Sequence, residues 1–221
     1  MAAFLASRPV RFLLRLMLAI VLLLAASVVL GRFMPVPSTL MLGRWAIGKP
    51  VHREWKPLAD ISPHLARGVV ASEDQRFCQH HGVDFVALRE VLDDPDGPSR
   101  GASTVTMQLV KNVYLWPGRS YVRKGLELPL ALVADIAWGK RRVMEIYLNI
   151  AEWGEGIFGA EAAAGHYFGK SARDLTAVEA SRLVAMLPNP LQRNPRRTSP
   201  GSRRVLQRMG GIDSLVSCLG R

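Results

Sequence analysis

The chain has 221 residues, 49% apolar and 21% charged, enough to enclose one medium-sized core and too apolar for a disordered or fibrous protein. Its formal charge of +11 raises nucleic acid, a membrane surface or an anionic substrate as partner, and the placement of the charge chooses among them. Residues 1–31 carry Arg8, Arg11 and Arg15 without an acid, residues 191–221 carry seven Arg against Asp213, and the long middle is close to neutral. A body of mixed sign, with no basic stripe interleaved with aromatics, excludes nucleic acid as the expected partner.

From Phe12 to Leu30 the chain reads FLLRLMLAIVLLLAASVVL, a helix of about 28 Å, which matches the hydrocarbon thickness of a bilayer. Arg15 is close enough to the N-terminal end to snorkel, and with Arg8 and Arg11 it keeps the N-terminus cytoplasmic. A cleaved signal peptide is the competing reading, since Ala25-Ala26-Ser27 offers small residues; apolar Val28-Val29-Leu30 favours a continuing anchor. GRFMPVP at 31–37 reads as a helix stop followed by a linker.

The body is mostly helical in pattern. Ser62-Pro63 reads as a helix start, with Ser62 as N-cap, leading through Leu65, Val69 and Val70 to Glu73. DDPDGPSR at 93–100 is a mobile loop by its turn formers. Ser103 or Thr104 caps a helix through Leu109 and Tyr114, and a further helix runs from about Tyr121 through Trp138 with a kink expected at Pro129. Lys140–Asn149 is amphipathic, GEGIFG at 154–159 is a glycine-rich turn before Ala160–Phe168, and Thr176 with Glu179 forms a capping box. The arginine-rich stretch after Pro190 reads as a loosely packed tail with at most a short helix near 202–209. Cys78 and Cys218 lack metal or redox spacing and nothing in the sequence brings them together, so no disulfide is expected.

Three clusters could carry chemistry. Glu73 follows Val69 and Leu65 on the apolar stripe of its helix, whereas Asp74 turns about 100° away. A poorly solvated carboxylate makes a competent general base, while the bland alternative is a salt-bridged glutamate at a helix end. Lys111, Arg119, Arg123, Lys124 and Glu127 read either as exposed helix ion pairs at i,i+3 and i,i+4 or, beside the Gly-Ala-Ser-Thr helix start, as a diphosphate site. His80 and His81 lack further metal ligands at fitting spacing and read as turn-stabilising groups. Trp153, Phe158, Tyr167 and Phe168 read as core rather than as a sugar groove.

In order along the chain, these blocks resemble the glycosyltransferase domain that polymerises peptidoglycan, glycosyltransferase family 51. Glu73-Asp74 with Phe77, His80, Gly82 and Asp84 is similar to the family's ED-x-x-F-x-x-H-x-G-x-D; GASTVTMQLVKN at 101–112 is similar to its second motif, and Arg123-Lys124 with Glu127 to its R-K-x-x-E. Lys140–Asn149 with AEWGEGIFGAEAAAGHYFGK, and then LTAVEASRLVAMLPNP, complete the series. LWPGRSYVRKGLE and YLNIAEWGEG resemble the monofunctional Gram-negative subgroup, and with some thirty residues left no penicillin-binding transpeptidase domain is expected to follow. Met107, Val83, Gly139 and Pro129 depart from the family pattern, but none removes a proposed catalytic group.

The resemblance implies a mainly α, lysozyme-like, two-lobed domain preceded by a single transmembrane helix. Its expected divisions are a cytoplasmic terminus at 1–11, the spanning helix at 12–31, a linker at 32–51, the glycosyltransferase domain at 52–190 and a basic tail at 191–221. It also implies an enzyme of the inner membrane with a periplasmic catalytic domain, joining lipid II into β-1,4 glycan and releasing undecaprenyl diphosphate. Glu73 would be the general base and Glu127 an assisting group near the donor. Lys111, Arg119 and Arg123 would contact the diphosphate, with Asp74, Ser103, Thr104, Gln108 and Lys124 in the same substrate pocket. No tightly bound cofactor is expected; a divalent ion such as Mg²⁺ is a candidate neutraliser of the diphosphate, although no separate cage for one is apparent. Other wall-synthesis or division proteins are candidate partners. Outside this reading stand a lytic enzyme that cleaves peptidoglycan, which needs no diphosphate pocket, and a membrane-anchored scaffold without catalysis.

Overall fold

The structure, a computed structural model, describes residues 8–94, 101–118 and 120–220. The expected loop at 93–100 lies outside the described residues apart from Asp93 and Asp94, as does Arg119. The chain divides into two compact units, residues 1–34 and residues 35–221.

The first unit is helix α1, Arg8–Gly31. Its 24 residues extend about 36 Å at ~1.5 Å per residue, and it is the one helix among the described residues long and apolar enough to cross a membrane.

The second unit is mainly helical. Helix α2, Thr39–Ala46, occupies the stretch expected to be a linker, because Ser38 accepts from Met41 N at 3.2 Å as N-cap and Met41 is fully buried. Thr39 Oγ1 donates to the carbonyls of Leu115 (2.7 Å) and Asn112 (3.2 Å), which ties α2 to the body. Strand β1 (His52–Arg53) follows. Helix α3, Pro63–Glu73, buries Leu65, Ala66, Val69, Val70 and Ala71. Ser62 precedes it but does not cap it with its side chain; its hydroxyl donates instead to Leu175 O at 2.7 Å. Helix α4 spans Phe85–Leu92, with Asp84 accepting from Val86 N and Ala87 N as N-cap.

Helix α5, Val105–Tyr114, buries Val105, Met107, Leu109 and Val110 and packs along helix α6, Tyr121–Ile150. Pro129 lies within α6 with helical backbone around it, and the expected kink falls instead at Gly139, at φ 72° and ψ 162°. That conformation is open to glycine and strained for other residues. Past the break, Lys140 reaches Asp135 at 2.8 Å and lies over the Phe77 ring. Gly82 serves a related end: at φ 81° it sits where an added Cβ would lie 2.2 Å from Ala131 O, so the chain after α3 can touch α6 only through a glycine.

Strands β2 (Glu152–Gly154) and β3 (Ile157–Phe158) make the GEGIFG region a small hairpin, and β1 pairs parallel to β3 with His52 opposite Ile157. Trp153 and Phe158 are fully buried. Helix α7 is Ala160–Phe168, and helix α8, Ala177–Val184, starts at the expected Thr176/Glu179 capping box.

The segment after residue 190 corrects the expectation of a loose tail, while the short helix expected near 202–209 is present. Helix α9, Pro200–Met209, begins at a second capping box on Ser199 and buries Val205 and Met209 against α3 and α8. Its apolar residues are few, and only the grooves of α3 and α8 give them somewhere to go. Arginines in and around this segment donate to carbonyls near helix C-termini: Arg193 to Ala185 O at 2.6 Å and Arg196 to His166 O at 3.1 Å, where cations are favoured. Cys218 forms a disulfide with Cys78, Cα atoms 5.5 Å apart. This overturns the expectation of unpaired cysteines: with 140 residues between them, their approach depends on the path of the whole domain.

Candidate functional site

The site is assembled where the end of α3 meets α5 and the first half of α6. Helix α3 stops at Glu73, and Asp74, at φ −160°, turns into the interior. The burial expected from the helix stripe is thereby reversed: Asp74 is buried and Glu73 only half-buried. Both oxygens of Asp74 lie within hydrogen-bonding distance of His80 Nε2 (2.9 and 3.1 Å), and Oδ2 also accepts from Val105 N at 3.0 Å. A carboxylate on the first amide of a helix is favoured by the unpaired N–H groups there. Asp74 therefore fastens α5 to α3 through protein partners, and His80 is the turn-stabilising group expected.

Glu73 has two neutral donors. Ser72 Oγ donates to Oε1 at 3.0 Å and Gln108 Nε2 donates to Oε2 at 3.1 Å. Gln108 Oε1 in turn accepts from the Tyr147 hydroxyl at 3.1 Å. Tyr147 is buried, and burial first, then the Glu73 charge, hold its hydroxyl well above the usual tyrosine range. Met107, next to Gln108, faces the core, so helical geometry alone turns Gln108 towards the site.

One turn further along α5 is Lys111. Burial pulls its ammonium below the usual lysine range, with Arg123 and Lys124 acting in the same direction and Glu127 opposing them. Among the described residues Lys111 has no ion-pair partner. Arg123 bonds Glu127 Oε1, and Lys124 Nζ bonds Glu127 Oε2 at 3.0 Å and Ser103 Oγ at 2.8 Å. Arg123 and Glu127 are only 8% and 2% exposed, which rules out a solvated surface pair. Among the described residues Arg123 Nε has no hydrogen-bond partner. Three cations around one buried carboxylate leave a local excess of positive charge, the condition for binding a diphosphate.

Of the sequence-derived site residues, the structure brings Glu73 and Gln108 together, and gathers Ser103, Lys111, Arg123, Lys124 and Glu127 into a second group. Thr104 works elsewhere. Buried, it caps α5 by accepting from Met107 N, and it donates to Gly82 O at 2.6 Å. Arg119 lies outside the described residues. Sequence reasoning missed Tyr147 and Ser72 as partners of the Glu73 cluster. Tyr147 is 39 positions from Gln108 and carries no local signal of its contact; Ser72 adjoins Glu73 and was discernible as a neighbouring donor. Among the described residues no group of three His, Cys, Asp or Glu side chains could hold a metal ion.

A family model described as Transglycosylase matches residues 41–210. The chain is 54% identical over 176 residues to a protein of Brucella suis biovar 1, covering 79% of each chain. It is 52% identical over 202 residues to one of Rhodopseudomonas palustris strain TIE-1, covering 90% of this chain and 85% of the relative. A Rhodospirillum centenum protein is 47% identical over 222 aligned residues, covering 96% of each. All three relatives bear the name biosynthetic peptidoglycan transglycosylase.

Proposed function

Because the chain belongs to the transglycosylase family and is a biosynthetic peptidoglycan transglycosylase in activity, polymerising glycan strands, we propose that Glu73 and the Lys111 cluster are the two halves of its active site. The observation that carries this is their joint placement on α5. Gln108, which bonds Glu73, and Lys111, which faces Arg123, Lys124 and Glu127 electrostatically, are three residues apart on one helix. Side chains at that spacing share a helix face.

Lipid II and the growing lipid-linked chain are the substrates in this reading. Glu73 takes the proton from the 4-hydroxyl of the N-acetylglucosamine on the incoming lipid II. That oxygen bonds to the anomeric carbon of N-acetylmuramic acid at the reducing end of the growing chain, with inversion to a β-1,4 link. The bond from that carbon to the diphosphate breaks, and its electron pair leaves on undecaprenyl diphosphate. Lys111, Arg123 and Lys124 stabilise the charge that accumulates there, while Glu127 holds two of these cations in place. Arg119 joins them by its position in the motif. A divalent ion would be held by phosphate oxygens rather than by a protein cage, and no step above depends on one.

Two features support work at a bilayer surface, with the N-terminus cytoplasmic and the catalytic unit periplasmic. Helix α1 is a spanning segment in length and composition, with basic residues at its start. The outward face of α6 from Tyr121 to Ile136 carries Tyr121, Val122, Gly125, Leu126, Pro129, Val133 and Ile136 and no charged group. With Tyr121 97% and Ile136 74% exposed, this face suits lipid better than water. Replacing Val133 and Ile136 with Lys should lower polymerisation of bilayer-embedded lipid II by the full chain, which α1 still anchors; unchanged turnover would remove α6 from the membrane reading.

The central test supplies the purified full chain with labelled lipid II in a membrane mimetic and measures polymer and free undecaprenyl diphosphate. Wild type should yield both and Glu73→Gln neither. Equal yield from the two proteins would overturn the assignment of Glu73.

A further inference from the structure

The proposal here rests on Glu73 being the general base. We infer that Tyr147 is a positioning residue for that base, acting through Gln108: its hydroxyl anchors the far end of the Gln108 amide, so that the NH₂ end stays seated on Glu73.

A glutamine amide can turn over and exchange its two ends at little intrinsic cost, so its direction is set by its neighbours. In this site the neighbours are a carboxylate and a phenol, with Gln108 Oε1 3.1 Å from Tyr147 Oη and Nε2 3.1 Å from Glu73 Oε2. An ionised phenol would attract the NH₂ end and turn the carbonyl towards Glu73. Burial first, and then the Glu73 charge, hold the hydroxyl in its neutral form, in which it donates to Gln108 Oε1. Tyr147 is 2% exposed, on the part of α6 beyond the Gly139 break. Its hydroxyl does not contact the carboxylate itself. The Glu73 carboxylate repels the amide carbonyl and selects the NH₂ end, while the Tyr147 hydrogen bond holds the opposite end in place, which leaves Glu73 Oε2 with a fixed donor on its inner side. Ser72 supplies the corresponding donor to Oε1. With one neutral hydrogen bond on each oxygen, the carboxylate is oriented yet keeps lone pairs available for a proton.

The same arrangement accommodates the state after proton transfer. Once Glu73 carries a proton its demand for the Gln108 donor falls, and the relay contains no cation that would hold it ionised. Glu127, bonded by Arg123 and Lys124, is the opposite case.

The test is Tyr147→Phe in the full chain, assayed for lipid II polymerisation across pH, with the melting temperature measured in parallel. Removing one hydroxyl leaves the ring to fill its site. We expect kcat to fall about tenfold, a part of the 10²–10⁴ that general base catalysis contributes, with little change in KM. The acidic limb of kcat should move to higher pH by about half a unit, because a hydrogen bond that favours the charged carboxylate is loosened. Gln108→Met should move the limb in the same direction, and the Tyr147→Phe/Gln108→Met double variant should be no worse than Gln108→Met alone, since the two act as one unit. An unmoved acidic limb in Tyr147→Phe, or additive losses in the double variant, would overturn the proposal and leave Tyr147 as packing. Either outcome is separable from the base assignment, because Glu73→Gln must be inactive whether or not Tyr147 positions it.

Discussion

Glu73 and Glu127 are the same residue type in neighbouring parts of the molecule, and their surroundings give them different work. Glu73 is half-buried and bonded by a serine hydroxyl and a glutamine amide, both neutral. Glu127 is buried and bonded by a guanidinium and an ammonium. Two cations on one carboxylate engage its lone pairs and hold it in place, whereas neutral donors orient a carboxylate and leave lone pairs open to an incoming hydroxyl. The contrast teaches that within this site the partners of a carboxylate, rather than its burial alone, separate the proposed base from the residue that gathers Arg123 and Lys124.

The most forceful way to break that contrast is to neutralise each glutamate in turn. Glu73→Gln should cost about 10²–10⁴ in turnover while leaving the melting temperature close to wild type. Glu127→Gln should lower the melting temperature clearly, since removing one partner of a buried ion pair costs about 3–5 kcal/mol. If the two variants exchanged these signatures, the assignment of roles would be reversed.

Lys111→Met tests the cation side. Turnover should fall about 10²-fold, as for loss of one preorganised charge-stabilising donor, without loss of thermal stability. The sign follows from burial, which depresses the lysine: the folded state disfavours its charged form, so the charge costs stability at neutral pH, and that cost falls away as pH rises from the folded value to the higher unfolded one. For the same reason the alkaline limb of wild-type activity should lie below the ordinary lysine range. A limb at or above it would place Lys111 outside the reaction.

Cys218→Ser sharpens the comparison from the Glu73 side, because the disulfide anchors the chain just beyond Glu73 and nowhere near Glu127 in sequence. Its loss should cost about 3 kcal/mol in denaturant unfolding. The smallest effect is expected from Glu179→Ala, remote from both carboxylates, at about 1 kcal/mol for a lost cap. Burial pushes the Glu179 carboxyl up, but the Thr176 amide and hydroxyl and Lys170 outweigh this and hold it below the usual range. Its contribution is therefore present above the unfolded carboxylate value and lost as pH falls through the folded value. Unfolding measured at neutral and acid pH checks this; a cost that grew in acid would contradict it.

Much of the architecture was legible because its determinants are local. The apolar run of α1, a cap at Ser103 or Thr104, and the Thr176/Glu179 capping box each depend on residues within a turn or two of one another, and the structure has all three, with Thr104 as the cap. The elements misread depend on distant surroundings. A kink in α6 is expected at Pro129, but the backbone breaks at Gly139, where Lys140 can reach Asp135 and the Phe77 ring. The basic stretch after residue 190 shows its short helix near 202–209 but has too few apolar residues to announce that it packs, and α9 does so because α3 and α8 supply the rest of the interface. The candidate site shows the same division: its charged members lie in short motifs, while Tyr147 joins it from a helix turn that the motif spacing does not connect to Gln108.

By itself the sequence determined which residue types were available for chemistry, their order along the chain, and the helices that carry them, because helical periodicity and capping are read within a few residues. The tertiary structure decided which carboxylate is held by neutral donors and which by cations, that Asp74 and not Glu73 turns inward, and that Cys78 meets Cys218. Those outcomes depend on where separate helices end and cross, and hydrogen-bond and ion-pair geometry varies over ångströms that no sequence spacing specifies.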